Sequence, residues 1–202
     1  MLTEVAQTYS DVFAPEIFVL VCGLLLIGYE WRAVPDRSLA TLGARVATLG
    51  VGWAVAFLVY QGVPRLVAHP PTWAPDATGS AGLGLGVLLI WAVWRRRRWG
   101  TLVPGFAALL VGVTVPHLLV TPFWDVSSHV LYAVVPAGYL GLVDWRFAPL
   151  SALALGMVVA RPLAGAHTWL QSIGGLLLGV VFLWAAVRVW FPDRLSMPAA
   201  AA

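Results

Sequence analysis

The sequence predicts an all-α, polytopic integral membrane bundle of about seven transmembrane helices, and two measures of composition with one pattern predict it. Hydrophobic residues make up 60% of the 202-residue chain, and charged residues only 10%. A water-soluble domain carries about 25% charged residues, so this chain has too little polar surface to cover a globule in water. Mean hydropathy is +0.87. The pattern is a series of apolar runs approaching the roughly 20 residues that a helix needs to cross hydrocarbon. Short polar connections separate them.

Taken in order, the runs are 15–33, 43–63, 79–94, 101–122, 128–143, 147–163 and 168–190. The third and sixth are short. The preceding "MLTEVAQTYSDVFAPE" is acidic and has no apolar centre, so no cleavable signal peptide is expected. Stretches such as "GLGLGVLL" and "SALALGMVV" place small residues where helices pack closely in lipid. The longest connection, "PRLVAHPPTWAPDATGS" (64–80), is rich in turn formers and is expected at the surface. The tail "SMPAAAA" is expected to fray. Residues 1–202 form a single integral membrane domain with no separate soluble unit.

Every basic residue is Arg, and the absence of Lys excludes Schiff-base chemistry on a lysine. The one cysteine, Cys22, lies in an apolar run and has no partner for an internal disulfide. A net charge of +3 and a pI near 9.5 would suit nucleic acid. The arginines, however, cluster between apolar runs, where they set orientation; no nucleic-acid partner is expected. With the amino terminus outside, Arg32, Arg37, Arg45, Arg95 to Arg98, Arg146, Arg188 and Arg194 all fall on the cytoplasmic side. Only Arg65 and Arg161 then lie outside. The expected placement is a multi-pass protein of the cell membrane with its carboxyl terminus in the cytoplasm. Trp31, Trp73, Trp94, Trp99, Trp124, Trp145, Trp169 and Trp190 sit near helix ends, as in an interfacial aromatic belt. Glu30 is read as snorkelling or meeting Arg32, and Asp144 with Arg146 as a pair at the inner surface.

The exception to the charge rule points to a site. An arginine retained outside does not orient the protein, and a charge beside hydrocarbon has a partner or a task. "TPFWDVSSHVLY" (121–132) and "VVARPLAGAHTWLQ" (158–171) both fall on that outer side. They bring Ser127, Ser128, His129, Arg161 and His167. A guanidinium recognises phosphate through parallel hydrogen bonds, and serine hydroxyls can complete the oxygen shell. One imidazole can attack phosphorus while the other protonates the leaving oxygen. That chemistry needs no metal and no cofactor, and none is expected. Ser127 and Ser128 also fit as caps of the fifth run, with Asp125 helping. In "GSAGLG" (79–84) the serine is displaced from the G-x-S-G of rhomboid proteases, and the helix order to "GAH" is wrong for one.

These residues resemble the type 2 phosphatidic acid phosphatase superfamily, which includes lipid phosphatases and vanadium haloperoxidases. The resemblance covers 114–180. Its third motif, S-R-x5-H-x3-D, is similar to "ARPLAGAHTWLQ", with Arg161 and His167 in place and Gln171 at the aspartate position. The second, P-S-G-H, is similar in part to "VSSH", with Ser127 and His129 in place and Val126 and Ser128 replacing Pro and Gly. For the first, K-x6-R-P, the family spacing puts Thr114 and Thr121 where Lys and Arg belong, ahead of Pro122.

The resemblance implies His167 as nucleophile, His129 as general acid and Arg161 with Ser127 and Ser128 on the phosphate. Beside what the resemblance implies, Gln171, Asp125 and His117 are read as standing behind these residues. A structural role is favoured for His117, one turn from the outer end of its helix, with His117 or Arg65 the candidates to replace a missing cation. The implied activity is hydrolysis of a lipid phosphate or polyprenyl pyrophosphate at the outer face, with membrane lipids as partners. The alternative is a catalytically degenerate member that binds a lipid headgroup or a partner protein. A third class is a transporter or a protein using the histidines as haem ligands.

Overall fold

A computed structural model describes residues 1–34, 37–66, 69 and 74–190, and all regular structure among them is helical. Eight α-helices follow one another: α1 (Leu2–Val12), α2 (Pro15–Arg32), α3 (Leu39–Gly62), α4 (Ala74–Arg97), α5 (Leu102–Val120), α6 (Ser128–Val143), α7 (Pro149–Leu163) and α8 (Trp169–Trp190). Two 3₁₀ turns, Val63–Leu66 and Trp145–Phe147, extend α3 and lead into α7. The seven expected runs all become helices. The acidic leader adds an eighth, α1, which Tyr9 fastens to α7 by donating its hydroxyl to the Leu153 carbonyl at 2.7 Å.

Among the described residues, five helical segments are long and apolar enough to cross a membrane, and a sixth is added if α1 and α2 form one span broken by their 46° bend. The chain is therefore a multi-pass helical membrane protein. The expected weak spots shift. α4 begins at Ala74 and runs 24 residues, so the second half of the connection read over 64–80 is helix. α7 alone has only 15 residues but makes a 19-residue segment with the 3₁₀ turn before it, which leaves α6, with 16 residues and a length of about 24 Å at 1.5 Å per residue, as the short segment. That falls short of the roughly 30 Å of hydrocarbon. The discrepancy has a physical reason. α6 is buried from Val130 to Ala137 and packs against α2, α5, α7 and α8, so protein, rather than lipid, surrounds it. A helix apolar on every side belongs in such a place.

Exposed large side chains on the outer helices, including Phe57, Leu58, Leu170, Val181 and Trp184, form the surface a bilayer would cover. Glycine sets the contact of α3 with α4. A Cβ on Gly86 would fall onto the Gly52 carbonyl, so α3 and α4 touch backbone to backbone.

The helix ends opposite the candidate site are tied by a buried polar cluster. Glu30 accepts from Trp94 Nε1 at 2.9 Å and from the Leu102 amide at 2.8 Å. Arg45 donates to the Trp99 carbonyl at 2.7 Å and lies over the rings of Trp94 and Trp99. This corrects three expectations: Glu30 engages Trp94 and Leu102 rather than Arg32, Trp94 is fully buried rather than interfacial, and Arg45, expected among the surface arginines, is a core residue. Asp144 caps the second 3₁₀ turn through the backbone N–H of Arg146 at 2.9 Å. Trp73, Arg194 and the tail expected to fray lie outside the described residues.

Candidate functional site

Helix direction decides which residues can meet. α5 ends, α6 begins, α7 ends and α8 begins at one end of the bundle, and α6 packs against both α7 and α8 there. Each neighbour contributes one polar element: the segment before α6, the last turn of α7 and the first turn of α8.

The segment before α6 is held from two sides. Ser127 donates its backbone N–H to the Gln171 carbonyl at 3.2 Å. Its own carbonyl lies 2.7 Å from where a Cβ on Gly175 would sit, so only glycine lets α8 come this close. From the other side, His117 reaches the carbonyl of Val126 with Nε2 at 3.3 Å and the hydroxyl of Ser80 with Nδ1 at 2.8 Å. A carbonyl only accepts, so Nε2 carries the proton and Nδ1 accepts from Ser80. His117 is completely buried. It is a strut from α4 to the residue before Ser127, the structural role expected of it.

On this segment the side chains turn inward. Ser127 occupies the N-cap position of α6, yet its hydroxyl makes no capping bond. Ser127 Oγ is buried without a hydrogen-bond partner, as are His129 Nδ1 and Asp125 Oδ1. This corrects the capping role considered for Ser127. Ser128, the first residue of α6, is buried beside it.

Arg161 stands in the last turn of α7 and His167 in the turn before α8. Both lie within electrostatic range of His129, Arg161 exerting the larger effect. The structure thus gathers His129, Arg161 and His167 at one place. The side chain of His167 is 4% exposed, and its Nδ1 sits 3.5 Å from Asp125 Oδ2.

Asp125, not Gln171, supplies the group beside the imidazole. The Gln171 side chain closes a capping box: its Oε1 accepts from the Thr168 amide at 2.8 Å while Thr168 Oγ1 accepts from the Gln171 amide at 3.2 Å. An amide locked this way orients α8 rather than His167. The carboxylate that the third motif lacks in sequence is therefore offered by a different segment in space.

The structure adds Ser172, which the sequence reading passed over. It lies next to Gln171, on the α8 face that Gly175 continues toward Ser127, and its buried hydroxyl also has no partner. Nothing in a single serine at the start of an apolar helix distinguishes it. Ser80, the serine of "GSAGLG", bonds His117.

The positions aligned with the missing cations are occupied otherwise. Thr114 Oγ1 bonds the Leu110 carbonyl at 2.8 Å and contacts the Tyr132 hydroxyl at 2.9 Å, and Thr121 Oγ1 donates to the His117 carbonyl at 2.7 Å. Arg65 is exposed on the 3₁₀ turn after α3. Among the described residues no group of three or more His, Cys, Asp or Glu could hold a metal ion.

Buried polar atoms without partners are costly, about 1–3 kcal/mol each, and they rarely gather. Here Ser127, His129 and Ser172 each carry one, around a guanidinium and a second imidazole. Such a cluster is suited to an oxyanion, which accepts from hydroxyl, imidazole and guanidinium donors together. The chain matches no protein-family model, no curated protein and no solved structure.

Proposed function

We propose that this protein is a phosphatase-like membrane protein acting on a lipid phosphate or a polyprenyl pyrophosphate at the outer face of the cell membrane. In this reading α2 to α8 are seven membrane-crossing segments, with α6 crossing inside protein, the amino terminus outside and the carboxyl terminus in the cytoplasm. The arginine distribution supports that orientation.

Asp125 steadies His167 through Nδ1, leaving Nε2 as the attacking nitrogen. Attack forms an N–P bond and breaks the P–O bond to the lipid. The leaving oxygen takes a proton from His129. Water, deprotonated by His129, then hydrolyses the phosphohistidine and releases phosphate. Arg161, Ser127 and Ser128 hold the non-bridging oxygens, and Ser172 adds a hydroxyl. A phosphate seated between Arg161 and His129 offsets the repulsion an imidazolium would feel from the guanidinium, so acid and substrate arrive together.

The observation that carries this reading is the gathering of buried, partnerless polar atoms around Arg161, His129 and His167. A second reading, an anion-binding protein without turnover, is favoured by Thr114 and Thr121, whose hydroxyls serve the fold where the family places cations. Purified protein in detergent separates the two. Phosphate release from a lipid phosphate, inhibited by orthovanadate and lost in His167→Ala and Arg161→Ala at equal folded yield, is the outcome expected. Release no greater than in those variants would eliminate the enzyme. Vanadate binding without turnover would establish the binder.

A further inference from the structure

A cavity of about 230 Å³ lies between α3, α4 and α6 beside the N-terminus of α2. Its walls are hydrocarbon and ring: Trp53, Phe57 and Tyr60 from α3, Leu83 from α4. Gly79 leaves the space open, for a Cβ there would meet only the Tyr60 ring, at 3.4 Å. The lining on α4 extends from Pro75 to Leu83, about 12 Å along the helix. One leaflet of hydrocarbon is about 15 Å deep. The cavity is therefore as long as most of an acyl chain's depth in its leaflet.

The cavity is polar at one end, where Ser128 and His129 line it. His129 also belongs to the cluster with Arg161 and His167. His129 thus borders both the apolar chamber and the oxyanion cluster. The exposed Glu16 carboxylate also lines the chamber.

We propose that this cavity holds the hydrocarbon chain of a membrane amphiphile whose phosphate head lies between His129 and Arg161. The inference rests on the phosphate-site reading above and deepens it: the ligand is a lipid withdrawn from the bilayer, its chain enclosed between α3 and α4. A phosphate without a chain would leave the chamber unfilled.

The test uses the full chain in phosphatidylcholine nanodiscs and a non-hydrolysable alkyl phosphonate carrying a mid-chain diazirine. After photolysis, mass spectrometry should place the label within 53–60 and 75–83. Excess unlabelled alkyl phosphonate should suppress it at least fivefold, and the alcohol of the same chain should not. Gly79→Leu, which fills the chamber, should suppress it similarly. Leu83→Phe provides an independent check, reducing labelling by a distal diazirine more than by a proximal one. Label spread over outward-facing Leu170, Val181 and Trp184, equal competition by the alcohol, or labelling indifferent to both variants would overturn the proposal. Phosphate release is read separately. Turnover without cavity labelling sinks the chain site alone, and cavity labelling without turnover sinks only the enzyme.

Discussion

Replacing Asp125 with asparagine tests the central geometry of the site. The substitution keeps size and shape while removing the charge 3.5 Å from His167 Nδ1. In the proposed reaction His167 attacks phosphorus and its ring becomes cationic, so the carboxylate would favour the transition state over the ground state. Two unit charges at that separation attract by about 1 kcal/mol in bulk water and about 5 kcal/mol at an effective dielectric of 20. The Asp125 side chain is 46% exposed, which places it toward the watery end of that range. A loss of about 1–2 kcal/mol follows, or roughly 5- to 30-fold in kcat/KM. Phosphate release from a lipid phosphate is the assay, with Asp125→Glu as a charge-preserving control that should recover part of the rate. High salt should narrow the gap, since at 1 M the screening length is about 3 Å. An asparagine variant within twofold of wild type at equal folded yield would refute the argument that Asp125 replaces the missing motif carboxylate.

Ser127→Ala and Ser172→Ala each remove a buried hydroxyl that has no partner. Folded stability should hold or rise by up to about 1 kcal/mol, while vanadate affinity falls about tenfold or more; a destabilised variant with unchanged affinity would show a structural hydroxyl instead. Gly86→Leu would press a side chain onto the Gly52 carbonyl. It should cost about 3 kcal/mol or abolish monodisperse protein by size exclusion, and wild-type behaviour would contradict the backbone contact of α3 with α4. Glu30→Gln puts an amide donor where both Trp94 and Leu102 donate, and removes the negative charge that acts on buried Arg45. Thermal unfolding in detergent should register a loss of about 2–4 kcal/mol; no change would mean water already serves those groups.

The sequence by itself determined the class and the positions of seven of the eight helices. Crossing hydrocarbon demands continuous apolar runs whatever their neighbours are, so the apolar pattern located α2 to α8 and passed over the acidic α1. It also marked Arg161, His129 and His167, because a charged or titratable group beside lipid stands out against that background. Three-dimensional packing decided everything that depends on partners. α6 is short because other helices, not lipid, surround it. Asp125 lies beside His167 although 42 positions separate them in the numbering, and Gln171, at the motif position, turns to cap its own helix. Glu30 and Arg45 became core residues for the same reason, since each finds its hydrogen bonds on segments remote in the chain. Burial energies are local to one residue and can be read along a line; a hydrogen bond needs two atoms in one place, and only the folded chain supplies the second.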